Sequence, residues 1–242
     1  MSTAAPWGNP KSDLPPPRPA PILLVALLIL PVLGYVAGSF IQRRALDDPK
    51  TRLKVAIEAL GSGYDATALK LFLSLAEKGN AKAQYHLAIM YEHGWGTPVD
   101  AEKAVDLYTK AAKQSLVLAE TRLGEIYLRG TLVLQDLAKA RVWSEKAAKA
   151  QSSDAELDLA DFYERGLGVP ADPIEAYAWY AVAAKQGNRL AVTQRDKVLG
   201  TLSLDEQAKA EARAKALEAS LKADPGGKQE PRTSTSRSEP AP

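Results

Sequence analysis

Residues 155–188 read AELDLADFYERGLGVPADPIEAYAWYAVAAKQGN, and the landmarks of that stretch recur 36 and 72 positions earlier. Ala155 answers to Ala119 and Ala83, Leu159 to Leu123 and Leu87, and Tyr163 to Tyr127 and Tyr91. The same spacing relates Gly166, Gly130 and Gly94, then Asp172, Asp136 and Asp100, then Ala176, Ala140 and Ala104. Trp179 and Trp143 correspond to Leu107, and the alanine pair Ala183-Ala184 to Ala147-Ala148 and Ala111-Ala112. Self-similarity of this length, shared by several residue types, is the signature of a repeat array.

Each unit reads as two helices. Ala83, Leu87 and Tyr91 lie at i, i+4 and i+8 and form one apolar stripe; Ala104, Leu107 and Ala111 form a second. Gly94 supplies the left-handed residue that ends a helix, and Asp100 supplies an oxygen for the amides that open the next. A single hairpin cannot bury its apolar face, whereas stacked hairpins share a continuous core through nearest-neighbour contacts. The expected fold is therefore all-α: an α/α superhelical solenoid of about 36-residue helix-turn-helix repeats, with one N-terminal transmembrane helix in front of it.

Working outward, complete units span 81–116, 117–152 and 153–188. Ala68, Leu71 and Ala76 stand 36 residues before Ala104, Leu107 and Ala112, which makes 51–80 a degenerate first repeat with Thr51–Leu60 as its first helix. Residues 189–222 are expected to cap the stack: Arg189–Leu199 reads as a first helix without its partner, and Ser203-Leu-Asp-Glu206 is a capping-box pattern opening an Ala-, Lys- and Glu-rich helix. Residues 223–242 hold Pro, Gly, Ser, Thr and charge without apolar content and are expected to be disordered, as is the Pro-rich tail 1–20.

Residues 21–42 contain no charged side chain, and Ile22–Leu30 is unbroken aliphatic sequence, long enough in all to span hydrocarbon as a helix kinked at Pro31. Gly34 and Gly38 have the spacing of a close helix-packing motif and admit a homodimer. The chain is thus expected in an inner (plasma) membrane with a single pass. Lys11 and Arg18 precede the span while Arg43, Arg44, Lys50, Arg52 and Lys54 follow it, a bias that favours a cytoplasmic solenoid. A short tail followed by one apolar segment is equally the layout of an export signal-anchor, with Ala37-Gly-Ser39 as a small-residue cleavage site. The side of the membrane stays open on these residues.

Composition narrows the function classes. Lys and Arg total 31 against 29 Asp and Glu, so the net charge of +2 gives no reason to expect nucleic acid. There is no cysteine, which removes disulfides, thiolate zinc sites and cysteine nucleophiles. No phosphate loop, nucleophile elbow or zinc-protease motif occurs, so no catalytic residue and no cofactor are expected. His86 and His93, the only histidines, sit two helical turns apart, which gives no metal site. The lattice does define a candidate partner-binding row: His86, Ile89 and His93 share one helix face, and they recur as Arg122, Glu125 and Arg129 and as Asp158, Asp161 and Arg165. Varying polar chemistry at fixed geometry suits a binding groove, the other reading being a solvated face. Trp143, Trp179, Tyr91, Tyr127 and Tyr163 are read as core packing, and Trp95, which has no aromatic counterpart, as an exposed contact residue.

These units resemble Sel-one-like repeats, relatives of the tetratricopeptide repeat, most closely through Tyr163-Glu-Arg-Gly-Leu-Gly-Val-Pro170, Asp172, Ala176 and Ala183-Ala-Lys-Gln-Gly-Asn188. The middle unit departs where Gly130-Thr-Leu132 lacks the second glycine. The resemblance implies a right-handed superhelix whose concave face takes a protein or peptide, hence a non-enzymatic scaffold. Bacterial members are often exported and act in envelope regulation or assembly, which implies a periplasmic solenoid against the cytoplasmic side favoured by charge. An envelope polysaccharide-associated structural protein and an accessory subunit of an enzyme are the alternatives.

Overall fold

A computed structural model describes residues 48–224, all of whose regular structure is helical. Ten helices follow one another: α1 (Pro49–Gly61), α2 (Asp65–Glu77), α3 (Ala81–His93), α4 (Ala101–Ala112), α5 (Val117–Arg129), α6 (Leu137–Lys149), α7 (Ser153–Arg165), α8 (Pro173–Lys185), α9 (Arg189–Leu199) and α10 (Leu204–Ala223). The expected transmembrane helix 21–42, the Gly34/Gly38 pairing and the tail 1–20 lie outside the described residues, as does nearly all of 223–242. Among the described residues no helix is long and apolar enough to cross a membrane.

The helix ends follow the repeating punctuation. Gly94, Gly130 and Gly166 close α3, α5 and α7 at φ 72, 68 and 67°. Asp100, Asp136 and Asp172 open α4, α6 and α8, each accepting a backbone N–H in the first turn. Their own amides return to the preceding helix, Asp100 to Tyr91 O, Asp136 to Tyr127 O and Asp172 to Tyr163 O, each at 2.9 Å. The middle loop therefore closes like its neighbours although Leu132 replaces a glycine. In the capping unit Ser203 and Glu206 form a reciprocal capping box.

Each helix packs against its neighbours in sequence, and first helices of adjacent units also meet, as α5 does α7. α10 departs from the serial order and folds back on α8, where Arg213 Nε and a terminal guanidinium nitrogen donate to the two Glu175 carboxylate oxygens at 2.6 and 2.8 Å. Leu217 and Leu221 bury their side chains in the same core cluster as Tyr177, Trp179 and Tyr180.

The aromatic residues expected in the core do pack against it, most of them at its margin. Tyr91, Tyr127, Tyr163 and Trp143 are only half-buried at its edge, and Lys103, Lys139 and Lys146 place their ammonium groups over Tyr91, Tyr127 and Trp143 at 5.3, 5.2 and 4.4 Å. Trp179 alone of that set counts as buried. The fully enclosed large aromatics are instead Phe72, Tyr108 and Tyr180, which share another lattice position, together with Phe162. Ser144 occupies that position in the middle unit and hides the register from the sequence.

Candidate functional site

The site is a groove of about 940 Å³ that runs across four units. Its walls are the N-terminal halves of the first helices and the turns leading into them. Lys82 and Tyr85 come from α3, Thr121, Arg122 and Glu125 from α5, Asp154 from α7 and Arg189 from α9. Those turns share a left-handed residue, Gly79, Ser115, Gln151 and Gly187, with φ of 81, 60, 61 and 88°. Asn80, Ser152 and Asn188 then cap α3, α7 and α9, whereas Leu116, in the equivalent place, offers α5 no side-chain oxygen.

Beneath the groove, polar side chains pair across the first and third hairpins, while Ala150 stands at the corresponding place in the middle unit. Gln114 donates to Gln84 Oε1 at 2.8 Å, while Gln84 donates in turn to Ala76 O at 3.3 Å. Two units on, Gln186 Nε2 donates to both Glu156 oxygens at 2.7 Å. Burial pushes the Glu156 carboxyl up to about 8, with Asp154 adding to the rise and the Gln186 bond opposing it. A neutral carboxylic acid thus stands where the first unit has an amide.

A second network lies between units. Tyr108 donates to Glu92 at 2.6 Å, and Arg122 bridges Glu92 and Glu125, the latter at 2.8 Å. Tyr180 repeats the arrangement, donating to Glu164 at 2.5 Å and to Asp161 at 2.7 Å, with Lys197 on Glu164 at 3.0 Å. The middle unit has Ser144 and Leu128 at the corresponding positions, and the buried Ser144 hydroxyl has no partner.

The structure divides the row read from the sequence. Arg122 and Glu125 line the groove, and Asp161 is tied to Tyr180. His86 is buried, 4 % exposed, stacked on Phe72 at 5.2 Å between ring centroids. Burial first, and then Lys82, lower its pKa to about 4, so it is a neutral core residue. Ile89 packs at the edge of the core, while Arg129 and Arg165 are exposed beyond the groove. His93 stacks on Trp95 at 4.8 Å, and Trp95, expected to be exposed, is half-buried against the first core cluster because this stacking and the loop glycines fold it inward. Asp158 is buried, 7 % exposed, with Oδ2 unpartnered.

Lys82, Tyr85, Thr121, Asp154 and Arg189 were not singled out by the sequence. They flank the invariant alanine at 83, 119 and 155 and vary from unit to unit at 82, 118 and 154, the signal that was available. Among the described residues no three or more His, Asp or Glu side chains are grouped so as to hold a metal ion.

Stacked hairpins carrying one long groove of mixed polar and apolar chemistry define an α/α solenoid. Residues 81–116, 117–152 and 153–188 each match the Sel1 repeat, a unit that in general mediates protein–protein interaction and is typically non-catalytic. Among solved structures the chain is similar to a Sel1 repeat protein from Oxalobacter formigenes, with 26% identity, coverage of 71% of this chain and 74% of that one, and a TM-score of 0.61. It is also similar to c5321, a protective antigen present in uropathogenic Escherichia coli strains, at 25% identity over 74% of this chain and 46% of that one, with a TM-score of 0.44. Immunity protein Pa5087 from Pseudomonas aeruginosa aligns at 20% identity over 75% and 85% of the two chains, with a TM-score of 0.35. No curated protein sequence matches.

Proposed function

We propose that this protein is a membrane-anchored, non-enzymatic scaffold of a bacterial envelope complex, whose groove across α3, α5, α7 and α9 holds a segment of a partner protein. The groove carries the reading: it is continuous over four units, and its walls vary in chemistry from unit to unit over a constant core. The tether rests on the charge-free stretch 21–42, which ends shortly before α1 begins at Pro49. A periplasmic solenoid is the side we favour, and a reporter fused to the C-terminus distinguishes it from a cytoplasmic one.

The test uses the groove's rim. Lys82 and Arg189 line opposite ends of it, and Arg189 is exposed. The full chain is used as bait in envelope extract to identify a partner. Lys82→Glu with Arg189→Glu should then weaken that partner's binding at least tenfold while leaving the helical content and thermal midpoint of the scaffold unchanged. Undiminished binding by the double variant would overturn the groove reading. Retention on envelope polysaccharide in place of a protein would support the glycan-associated alternative.

A further inference from the structure

We infer that residues 225–242 are the groove's own ligand: the segment that leaves α10 folds back along the groove as an internal competitor that a partner must displace. The inference rests on the groove reading above and adds its regulation. It starts from where α10 ends. Lys185 Nζ donates to Glu218 at 2.5 Å and Lys149 Nζ to Asp224 at 3.4 Å, so the last turns of α10 lie against the C-terminal ends of α8 and α6. Those two ends lead into the turns whose Gln186, Gly187 and Asn188, and Ser152 and Ser153, line the groove. Asp224, the last described residue, therefore stands at the groove's edge, beside its α7 wall. Pro225-Gly226-Gly227 comes next, a turn-forming sequence.

Residues 228–242 read KQEPRTSTSRSEPAP and hold no large apolar side chain to bury in a core. Their charge order complements that of the groove. From one end to the other the wall presents Lys82 on α3, Glu125 on α5, Asp154 on α7 and Arg189 on α9: a cation, two acids and a cation. The segment presents Glu230, Arg232, Arg237 and Glu239: an acid, two cations and an acid. Both orders are palindromic, so they match in either direction. Arg122, the remaining charged group of the wall, is shared between Glu92 and Glu125, and Asn188 donates to Asp154 Oδ1 at 3.5 Å. A carboxylate accepts several hydrogen bonds, so both wall acids can take a further cation.

The lengths agree as well. Packed helices stand about 10 Å apart, so four first helices cover about 30 Å. Extended chain from Glu230 to Glu239 covers about the same. Exposed ion pairs are individually weak. Tethering supplies an effective concentration on the order of millimolar, so a few such pairs in register suffice, and raised salt should release the segment.

The chain has no cysteine, so introduced pairs can carry spin labels for double electron–electron resonance on the full chain in detergent micelles. Ser234→Cys with Lys113→Cys, an exposed position next to groove-lining Gln114, should give one narrow distance distribution. Ser234→Cys with Leu134→Cys, 92 % exposed in the loop at the opposite helix ends, should give a longer distance. Glu230→Lys with Glu239→Lys should broaden the first distribution, as should Lys82→Glu with Arg189→Glu, and the four changes together should restore it. Circular dichroism verifies folding of each variant. A broad distribution in the parent, or no recovery in the fourfold variant, would overturn the inference. Competition is read by fluorescence anisotropy with a labelled peptide of residues 225–242. The chain carrying Glu230→Lys and Glu239→Lys, its own segment released, should bind that peptide roughly fivefold more tightly than the parent; equal binding would overturn the competitor role. If the segment proves undocked while Lys82→Glu with Arg189→Glu still weakens partner binding, the groove reading stands without its internal ligand; if the rim variant also has no effect, both fall.

Discussion

At the residue scale, position 84/120/156 shows how one lattice site takes different chemistry. Gln84 joins Gln114 to Ala76 O with its two amide ends, and Glu156 must be protonated to behave in the same way. Its folded pKa of about 8 lies above the unfolded carboxylate value, so its contribution is fully present below about pH 4.3 and is lost as pH rises through 8. Glu156→Gln should therefore change stability little at pH 4.5 and raise it by about 3 kcal/mol at pH 8, read from urea midpoints at the two values. An equal effect at both would show that Glu156 is not held neutral. His86 works in the opposite sense: with its folded pKa lowered to about 4, its contribution is present above about 6.5 and is lost as pH falls through 4. Neither shift could be read from the residues alone, because burial sets both, and burial at 86 and 156 depends on which way each helix turns in the stack.

At the element scale, the middle hairpin is the weak one. Tyr108 and Tyr180 fill their units and reach a glutamate, whereas Ser144 leaves a buried hydroxyl without a partner. Its Oγ also lies 2.6 Å from where a Cβ on Gly124 would stand, so the glycine and the serine are coupled. Ser144→Ala should stabilise by about 1 kcal/mol by removing the unsatisfied group. Gly124→Ala should gain little alone but about 1 kcal/mol more when combined with it, since helix propensity then acts without the clash. Additive single effects in that double-mutant cycle would sink the coupling. The sequence shows the helices and their caps at this scale because the Gly and Asp punctuation is local. It does not show the enclosed aromatic position, because the one serine breaks the periodicity by which the other positions were found.

At the scale of the molecule, contacts join helices adjacent in sequence or first helices of adjacent units, except where α10 returns to α8. Leu217 and Leu221 seal that end, both less than a tenth exposed. Replacing both with Ala should cost about 4 kcal/mol locally. In native-state hydrogen exchange α7 to α10 should lose protection while α1 to α4 keep theirs, as expected of a one-dimensional stack. A uniform loss along the chain would mean that the solenoid folds as a single cooperative block.

The sequence by itself determined the repeat, its length, the helix pairs and the capping helix, because each is written in local periodicity and in the residues that start and stop helices. It also indicated that polar variation beside the alanine stripe matters. Only the tertiary structure decided which varying positions face the groove. The stacking of first helix on first helix turns 86 and 158 inward and leaves 82, 85, 121 and 154 on the wall, so that a row continuous in sequence becomes two buried groups and two groove residues, with the rest outside.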